Sequence, residues 1–283
     1  MLASRLTAAA MLTPAMLVVF CVLALPLLLL LRYSFNHFEP GQFMVEAFTL
    51  ENYVKFFSDP YYLAVLRSTV LMAIAVTAAC LLLGFPAALA IARAPARRKA
   101  VLIVLVVVPL FVGNAVRAAG WMVAFGQKGV LNTALGLIGL SPYTIMYTPL
   151  AVFIGIISVN LPFVVLTLQS VLEGIDHALA DAAASLGATP FAGFRLVILP
   201  LAMPGILAAG ALSFILTMNA YATPLLLGGP RFQMIGPTLA NVVLSQSNWP
   251  FGASLAFVLI AFTLAATTLA NALIARRISR VAT

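Results

Sequence analysis

Charged residues are scarce in this chain: only 8% of its 283 residues are Asp, Glu, Lys or Arg, and only seven are acidic. An average soluble domain carries about 25% charged residues, so the scarcity excludes an ordinary soluble protein. Hydrophobic residues make up 64% of the chain, and the mean hydropathy is +1.14. These values predict an all-α polytopic membrane protein.

Residues with catalytic or metal-binding chemistry are also few. The two cysteines, Cys21 and Cys80, lie in separate apolar stretches, and His37 and His177 lie in predicted loops. Neither disulfide nor metal-ligand spacing is present, and no phosphate-binding G-x4-G-K-S/T segment occurs. We therefore expect no catalytic residue, metal site or cofactor, which disfavours an intramembrane enzyme. The chain lacks ATPase motifs of its own, so any use of ATP requires a separate subunit.

Apolar segments of sufficient length predict the membrane spans, since a helix needs roughly twenty apolar residues to cross the hydrocarbon core. The first is expected to be a retained span, because it is too long for a signal peptide and no small-residue cleavage site follows it. The third is the least regular, because Asn114 and Arg117 interrupt it. Counting it as two spans would move the long loop at 173–199 to the other side. We expect one transmembrane domain, 1–283, with six spans at about 11–31, 67–92, 100–125, 148–171, 200–225 and 250–274.

Basic residues indicate the orientation of these spans. The densest basic run is the short turn 93–99, which the positive-inside rule assigns to the cytoplasm. With six spans, both termini and the loop 173–199 then lie on that side too. This face carries Arg5, Arg93, Arg97, Arg98, Lys99, Arg195, Arg276, Arg277 and Arg280, whereas the other carries Arg32, Lys55, Arg67, Arg117, Lys128 and Arg231.

The loop between the fourth and fifth predicted spans reads EGIDHALADAAASLGATPFAGFRLVILP over residues 173–200. Apolar residues recur at steps of three and four from Leu172 to Leu186, which predicts one apolar helical face. Gly187 is a predicted helix stop, and Thr189-Pro190 is a predicted cap and first position of a second helix. The loop should therefore form two short helices joined by a tight corner of small residues, which another protein can approach closely.

An amphipathic helix lying on the inner leaflet is the alternative for this loop. Such helices usually carry a strongly basic polar face. Here the polar positions include Glu173, Asp176 and Asp181, which anionic lipid would repel. Docking of a protein is therefore favoured over docking of lipid.

The same loop resembles the coupling-loop signature of ABC importer permeases, E-A-A-x3-G-x9-I-x-L-P. The matching residues are Asp181-Ala182-Ala183, Gly187 and Val197-x-Leu199-Pro200, with Asp and Val replacing the usual Glu and Ile. The resemblance implies the type I importer permease fold, with cytoplasmic coupling helices, in the bacterial inner membrane. It implies that an ATP-binding subunit docks at Asp181, Ala182, Ala183, Ser185, Leu186, Gly187, Ala188 and Thr189.

Three other stretches resemble the spermidine/putrescine permease subfamily: PLFVGNAVRAAGW at 109–121, GVLN at 129–132 and YATPLLLGG at 221–229. The resemblance implies two ATP-binding subunits, a distinct second permease and a periplasmic binding protein. The outer loops 33–62 and 229–249 would then form part of the surface on which that binding protein lands. The implied cargo is a polyamine or a related amine, amino-acid-like or opine-type compound.

The cargo is not fixed by the residues themselves. No span core contains Asp or Glu, although a carboxylate would offset the cost of desolvating an ammonium group. Arg117 favours an anionic cargo, unless it snorkels to the interface or pairs with backbone carbonyls at a helix break. Trp121 could instead belong to an interfacial aromatic belt, and Asn160 and Asn219 could bond neighbouring helices. The candidate pathway residues are Asn114, Arg117, Trp121, Asn160, Asn219 and Tyr221.

An ion-gradient-driven secondary transporter or channel is the alternative function. Proton relays use intramembrane Asp, Glu or His, and none is predicted here. This argues against a proton-coupled carrier, and says less about a sodium site built from carbonyls.

Overall fold

The computed structural model describes residues 13–14, 16–42, 44–137, 139 and 144–279. Arg5, Arg280 and the beginning of the first predicted span lie outside them. Within these ranges the chain is helical, and the only β pairing is an isolated bridge between His37 and Val45. The helices are α1 (Met16–Tyr33), α2 (Glu51–Ser58), α3 (Pro60–Ala92), α4 (Ala96–Phe111), α5 (Asn114–Phe125), α6 (Val130–Leu137), α7 (Pro149–Glu173), α8 (His177–Ser185), α9 (Pro190–Met218), α10 (Pro224–Gly228), α11 (Ile235–Ser245) and α12 (Trp249–Ser279).

Five of these helices are long and apolar enough to cross a membrane: α1, α3, α7, α9 and α12. The predicted third span, 100–125, falls on a bent pair rather than on one straight helix. Residues 96–111 and 114–137 meet at an angle of 92°, and the pair counts as a sixth span if its two parts are taken together. The break follows from Pro109, which removes a backbone donor, and from Val112 and Gly113, whose ψ angles of 119° and 144° are extended.

The predicted fifth span, 200–225, is displaced at both ends. The helix begins at Pro190 and continues to Met218, so the second loop helix is the first part of α9 rather than a separate element. A π-helical turn at Phe194–Ile198 precedes Pro200, which has no N–H to donate. The helix ends at Met218 because Asn219 caps it, and its Nδ2 donates to the Ile215 carbonyl at 2.9 Å.

The chain packs as two units, of which one comprises the residues up to Leu63 together with 238–262. In this unit the outer loop 33–62 is folded. The buried Asn52 donates from Nδ2 to the carbonyls of Ser34 at 3.0 Å and Asn36 at 2.8 Å. The Lys55 ammonium lies 4.6 Å from the ring centroid of Phe251. The predicted outer loop is therefore an ordered surface rather than a linker.

The other unit comprises residues 64–237 and 263 onward, and α7 packed on α9 forms its centre. Small residues bring the two helices together, as is usual between membrane helices. A Cβ at Gly205 would lie 2.8 Å from the Cβ of Val171. On another side of α7, a Cβ at Gly155 would lie 2.6 Å from side-chain atoms of both Thr223 and Leu227. The absence of a side chain at Gly155 thus lets α10 pack closely against α7.

The start of α11 lies against the segment that follows α9. The amide of Ile235 donates to Thr69 Oγ1 at 3.0 Å, which holds this helix end against α3. A Cβ at Gly236 would lie 2.4 Å from the Ala220 carbonyl oxygen. Only glycine permits this approach, because the neighbour is backbone rather than a movable side chain.

Replacing Gly236 with alanine should therefore lower stability. We expect Gly236→Ala to cost about 1–3 kcal/mol through overpacking, measured as a lower melting temperature in detergent. The matched control is Gly120→Ala, because a Cβ at that helical position meets nothing within 4 Å. This control should be neutral or more stable by up to about 1 kcal/mol, through helix propensity. Equal melting temperatures for the two variants would contradict the close approach.

Candidate functional site

The predicted docking corner, residues 181–189, is a capped turn between α8 and α9. Gly187 has φ of +84°, its amide donates to the Ala184 carbonyl at 2.9 Å, and the Ala188 amide donates to the Ala183 carbonyl at 3.0 Å. This pair of bonds is the Schellman motif that ends helices at glycine. Thr189 Oγ1 then accepts a hydrogen bond from the Ala192 amide at 3.2 Å. The stop at Gly187 and the cap at Thr189 lie where the sequence indicated.

Leu186 departs from the predicted apolar face. The face itself is buried at its beginning, where Leu172 is 5% exposed and lies near Val197 and Ile198. Leu186 is instead 89% exposed. The reason is local: it is the C-cap residue, with φ −83° and ψ 9°, so it leaves the helical register before Gly187. The docking corner therefore presents a large apolar side chain that the described part of this chain leaves uncovered.

The basic turn 93–99 lies at the same end of its unit as the beginning of the loop. Lys99 Nζ forms an ion pair with Glu173 Oε1, and Gln169 Nε2 binds the other carboxylate oxygen. Arg93 and Asp176 line one small groove. The ion pair fixes the first turn of α4 to the last turn of α7.

Arg117 binds backbone carbonyls at the break between α4 and α5. Its guanidinium donates to the carbonyls of Pro109, Val112 (3.2 Å) and Ser158 (3.0 Å). The first two carbonyls lie at the break itself, and that of Pro109 also accepts from the Val112 amide at 3.2 Å. Arg117 therefore makes the carbonyl contacts that the structural alternative predicted. Its guanidinium holds the two sides of the bend together.

Trp121 binds the same residue of α7 as Arg117 does. Its Nε1 donates to Ser158 Oγ at 3.0 Å, while that hydroxyl donates to the Gly155 carbonyl at 2.7 Å. The indole stacks on Phe125 with ring centroids 4.9 Å apart. Arg117 and Trp121 thus brace α5 against α7 and are not among the residues that line the cavity described next.

The other four predicted pathway residues meet at one cavity of about 290 Å³. They reach it from the first residue of α5, the middle of α7 and the segment after α9. Thr223 also lines the cavity; it is not among the predicted pathway residues, although it lies within the YATP motif. The lining consists of Asn114, Asn160, Asn219, Tyr221 and Thr223, with Ile156, Val159, Leu216, Ala220 and Ala222.

The cavity lining combines polar and apolar side chains and is uncharged. Asn160 is 1% exposed, and its Nδ2 donates to Thr217 Oγ1 at 2.8 Å and to the Ser213 carbonyl at 3.1 Å, so it also joins α7 to α9. Tyr221 is 44% exposed and presents an aromatic ring. Neither a carboxylate nor a basic side chain is among the lining residues. Such a site can offer amide and hydroxyl hydrogen bonds and a ring face to a small solute.

Comparisons with known proteins bear on this arrangement. Residues 81–280 match the family described as "Binding-protein-dependent transport system inner membrane component". The chain is 37% identical over 232 residues to the spermidine/putrescine transport system permease protein PotB of Escherichia coli K12, covering 81% of this chain and 84% of that one. It is 36% identical over 265 residues to PotB of Haemophilus influenzae, covering 92% of each.

A solved structure shares the fold. It is the bacterial alginate ABC transporter in complex with an alginate pentasaccharide-bound periplasmic protein, with a TM-score of 0.77 and 19% identity over 97% of this chain and 96% of that chain. At this identity the similarity shows the fold alone.

The chain therefore belongs to the family of binding-protein-dependent transport system inner membrane components. It is a permease subunit of an ABC importer. Both the predicted resemblance and the predicted all-α permease fold are confirmed.

Removing the Arg117 guanidinium should destabilise the bend. We expect Arg117→Met to cost about 2–3 kcal/mol, because charge-assisted bonds to three carbonyls are lost. Melting in detergent would measure the loss. Arg231→Met is the control, since Arg231 is an exposed arginine of the same unit, and it should change stability by less than about 0.5 kcal/mol. Equal effects of the two substitutions would contradict the bracing role.

Proposed function

We propose that this permease forms half of a membrane pathway that imports a small amine, with polyamines as the first candidates. The observation that carries the proposal is the uncharged cavity lined by three asparagines, Tyr221 and Thr223. Its volume of about 290 Å³ is at the lower end of ligand sites, which run to about 1,000 Å³. It suits a small solute better than an oligosaccharide.

The position of Arg117 supports an amine over an anion. Its guanidinium is bound to three carbonyls and does not line the cavity, so no positive charge is offered to an anionic cargo there. Tyr221 offers a ring face, and a cation over a tyrosine ring gains about 0.5–2 kcal/mol. The names of the PotB relatives, which mention spermidine and putrescine, agree with this chemistry.

Energy would come from separate ATP-binding subunits, two per complex, docking at the corner 181–189. The exposed Leu186 supports this proposal, because an isolated apolar side chain surrounded by small residues suits a socket in a partner. A partner that covers Leu186 gains about 1.5–3 kcal/mol of hydrophobic free energy. The subunits would hydrolyse ATP, for which this chain has no phosphate loop.

Both termini and the docking corner would face the cytoplasm. The supporting observation is the Lys99–Glu173 ion pair, which holds the basic turn 93–99 and the start of the loop together. The positive-inside rule then assigns both to the cytoplasmic side.

The remaining partners would be a distinct second permease and a periplasmic binding protein. The folded outer loop 33–62 supports a protein-binding role on the opposite side, because its polar groups are held by internal bonds such as those of Asn52. The alginate transporter, which shares the fold, is described in complex with a periplasmic protein. The loops 33–62 and 229–249 would contribute to the landing surface.

Co-purification from the native operon, followed by ATPase assays with cargo-loaded binding proteins, tests the function. We expect an ATP-binding subunit to co-purify and a spermidine- or putrescine-loaded receptor to stimulate hydrolysis. Stimulation by an anion-loaded receptor alone would overturn the amine cargo. A chain that purifies alone and transports down an ion gradient would overturn the importer.

Leu186 provides a surface test of docking. Leu186→Glu should reduce recovery of the ATP-binding subunit at least tenfold, because a charge would be buried in the socket. Leu186→Met is the matched control and should retain assembly, since the apolar volume is conserved. The amount of ATP-binding subunit that co-purifies with each variant is measured by densitometry. Gly187→Asp should act in the same direction, with added strain at φ +84°. Normal assembly of both charged variants would refute docking at this corner.

A further inference from the structure

The amide groups of Asn160 and Asn219 are oriented by the helices that hold them. Asn219 Nδ2 donates to the Ile215 carbonyl at 2.9 Å. A carbonyl oxygen can only accept, so the nitrogen of the amide must face it and the oxygen must face elsewhere. The same reasoning fixes Asn160, whose Nδ2 donates to the Ser213 carbonyl at 3.1 Å. Both nitrogens are therefore committed to α9.

The two amide oxygens are the atoms left for the cavity. Within the part of the chain that the structure describes, neither Asn160 Oδ1 nor Asn219 Oδ1 receives a hydrogen bond. Both residues line the cavity. An amide oxygen that no protein group donates to is free to accept, so a ligand that brings N–H groups can bond to these two oxygens.

We infer that Asn160 and Asn219 are the specificity-determining residues of the cavity, and that their amide oxygens accept hydrogen bonds from a protonated amine. The inference rests on the proposed import function and assigns the chemistry of recognition to named atoms. Partial negative charge on two oxygens and the ring of Tyr221 replace the carboxylate that this site lacks.

A neutral acceptor site also suits transport. Conduction requires binding that is favourable enough for entry and weak enough for release. A carboxylate in a low-dielectric cavity would hold an ammonium group strongly. An amide oxygen carries no net charge, so it binds the ammonium group more weakly. Both N–H groups of Asn160 are bonded to α9, and no basic side chain lines the cavity to attract an anion.

Direct binding to the receptor-free complex tests these assignments. The complex of this chain with its partner permease and ATP-binding subunits is purified in detergent, and binding of radiolabelled spermidine and of radiolabelled citrate is measured. We expect the wild type to bind spermidine and not citrate. Asn219→Leu should weaken spermidine binding about tenfold, which is about 1.4 kcal/mol. Asn219→Asp should strengthen it by a similar factor and slow release.

Gln233→Leu is the matched control. Gln233 Nε2 donates to the carbonyl four residues earlier, Gly229, at 2.8 Å, as Asn219 does to Ile215, but Gln233 does not line the cavity. Its replacement should leave spermidine affinity within twofold. Asn219→Ser, a smaller acceptor, should fall between the wild type and Asn219→Leu, and melting curves verify that each variant is folded.

The outcomes separate the two proposals. Spermidine binding that is unchanged in Asn219→Leu, or weaker in Asn219→Asp, overturns the acceptor role while leaving amine import standing. Binding that depends on Asn219 without receptor-stimulated uptake overturns the importer and keeps the acceptor role. Citrate binding, or no spermidine binding by the wild type, overturns both.

Discussion

The contact between Arg117 and three backbone carbonyls is the constraint on which the unit that comprises residues 64–237 depends. A 92° bend interrupts the helix inside an apolar segment, and lipid offers backbone carbonyls there no hydrogen bond. A guanidinium can satisfy several at once because its donors are fixed in a planar fork. Closing the bend in this way also starts α5 at Asn114, beside the cavity, and ties that helix to Ser158. The single basic residue predicted near a span interior therefore acts through structure, and the cavity remains uncharged.

The sequence predicted the features that depend on local chemistry. Gly187, Thr189 and Pro190 specify a helix stop and a restart through φ, a side-chain cap and a missing donor, and each is found where the pattern indicated. Arg117 and Asn160 were given both a pathway role and a structural alternative. Arg117 makes the carbonyl contacts of the structural alternative. Asn160 joins two helices through its nitrogen and also lines the cavity, so its pathway role stays a prediction.

Other features depend on packing at a distance and could not be read from the pattern. Hydropathy does not distinguish a straight span at 100–125 from a bent pair, since both are apolar. The early end of α9 at Met218 depends on the cap at Asn219, which periodicity does not reveal. Leu186 fits the helical step from Leu172, yet one residue in the C-cap conformation is enough to expose it. Thr223 joins the cavity because Gly155 admits α10, a relation between positions far apart in sequence.

The continuity of α9 has a mechanical consequence. The helix begins one residue after the docking corner and ends one residue before Asn219, without a break between Pro190 and Met218. At 1.5 Å per residue it is a rod of about 43 Å. A partner that pushes on the corner along this axis would therefore displace the wall of the cavity as well. The π-helical turn at Phe194–Ile198 is a place within the helix where such a movement can be absorbed as a change of pitch. In the proposed importer, the docking site of the ATP-binding subunit and the cargo site would therefore lie at the two ends of one helix.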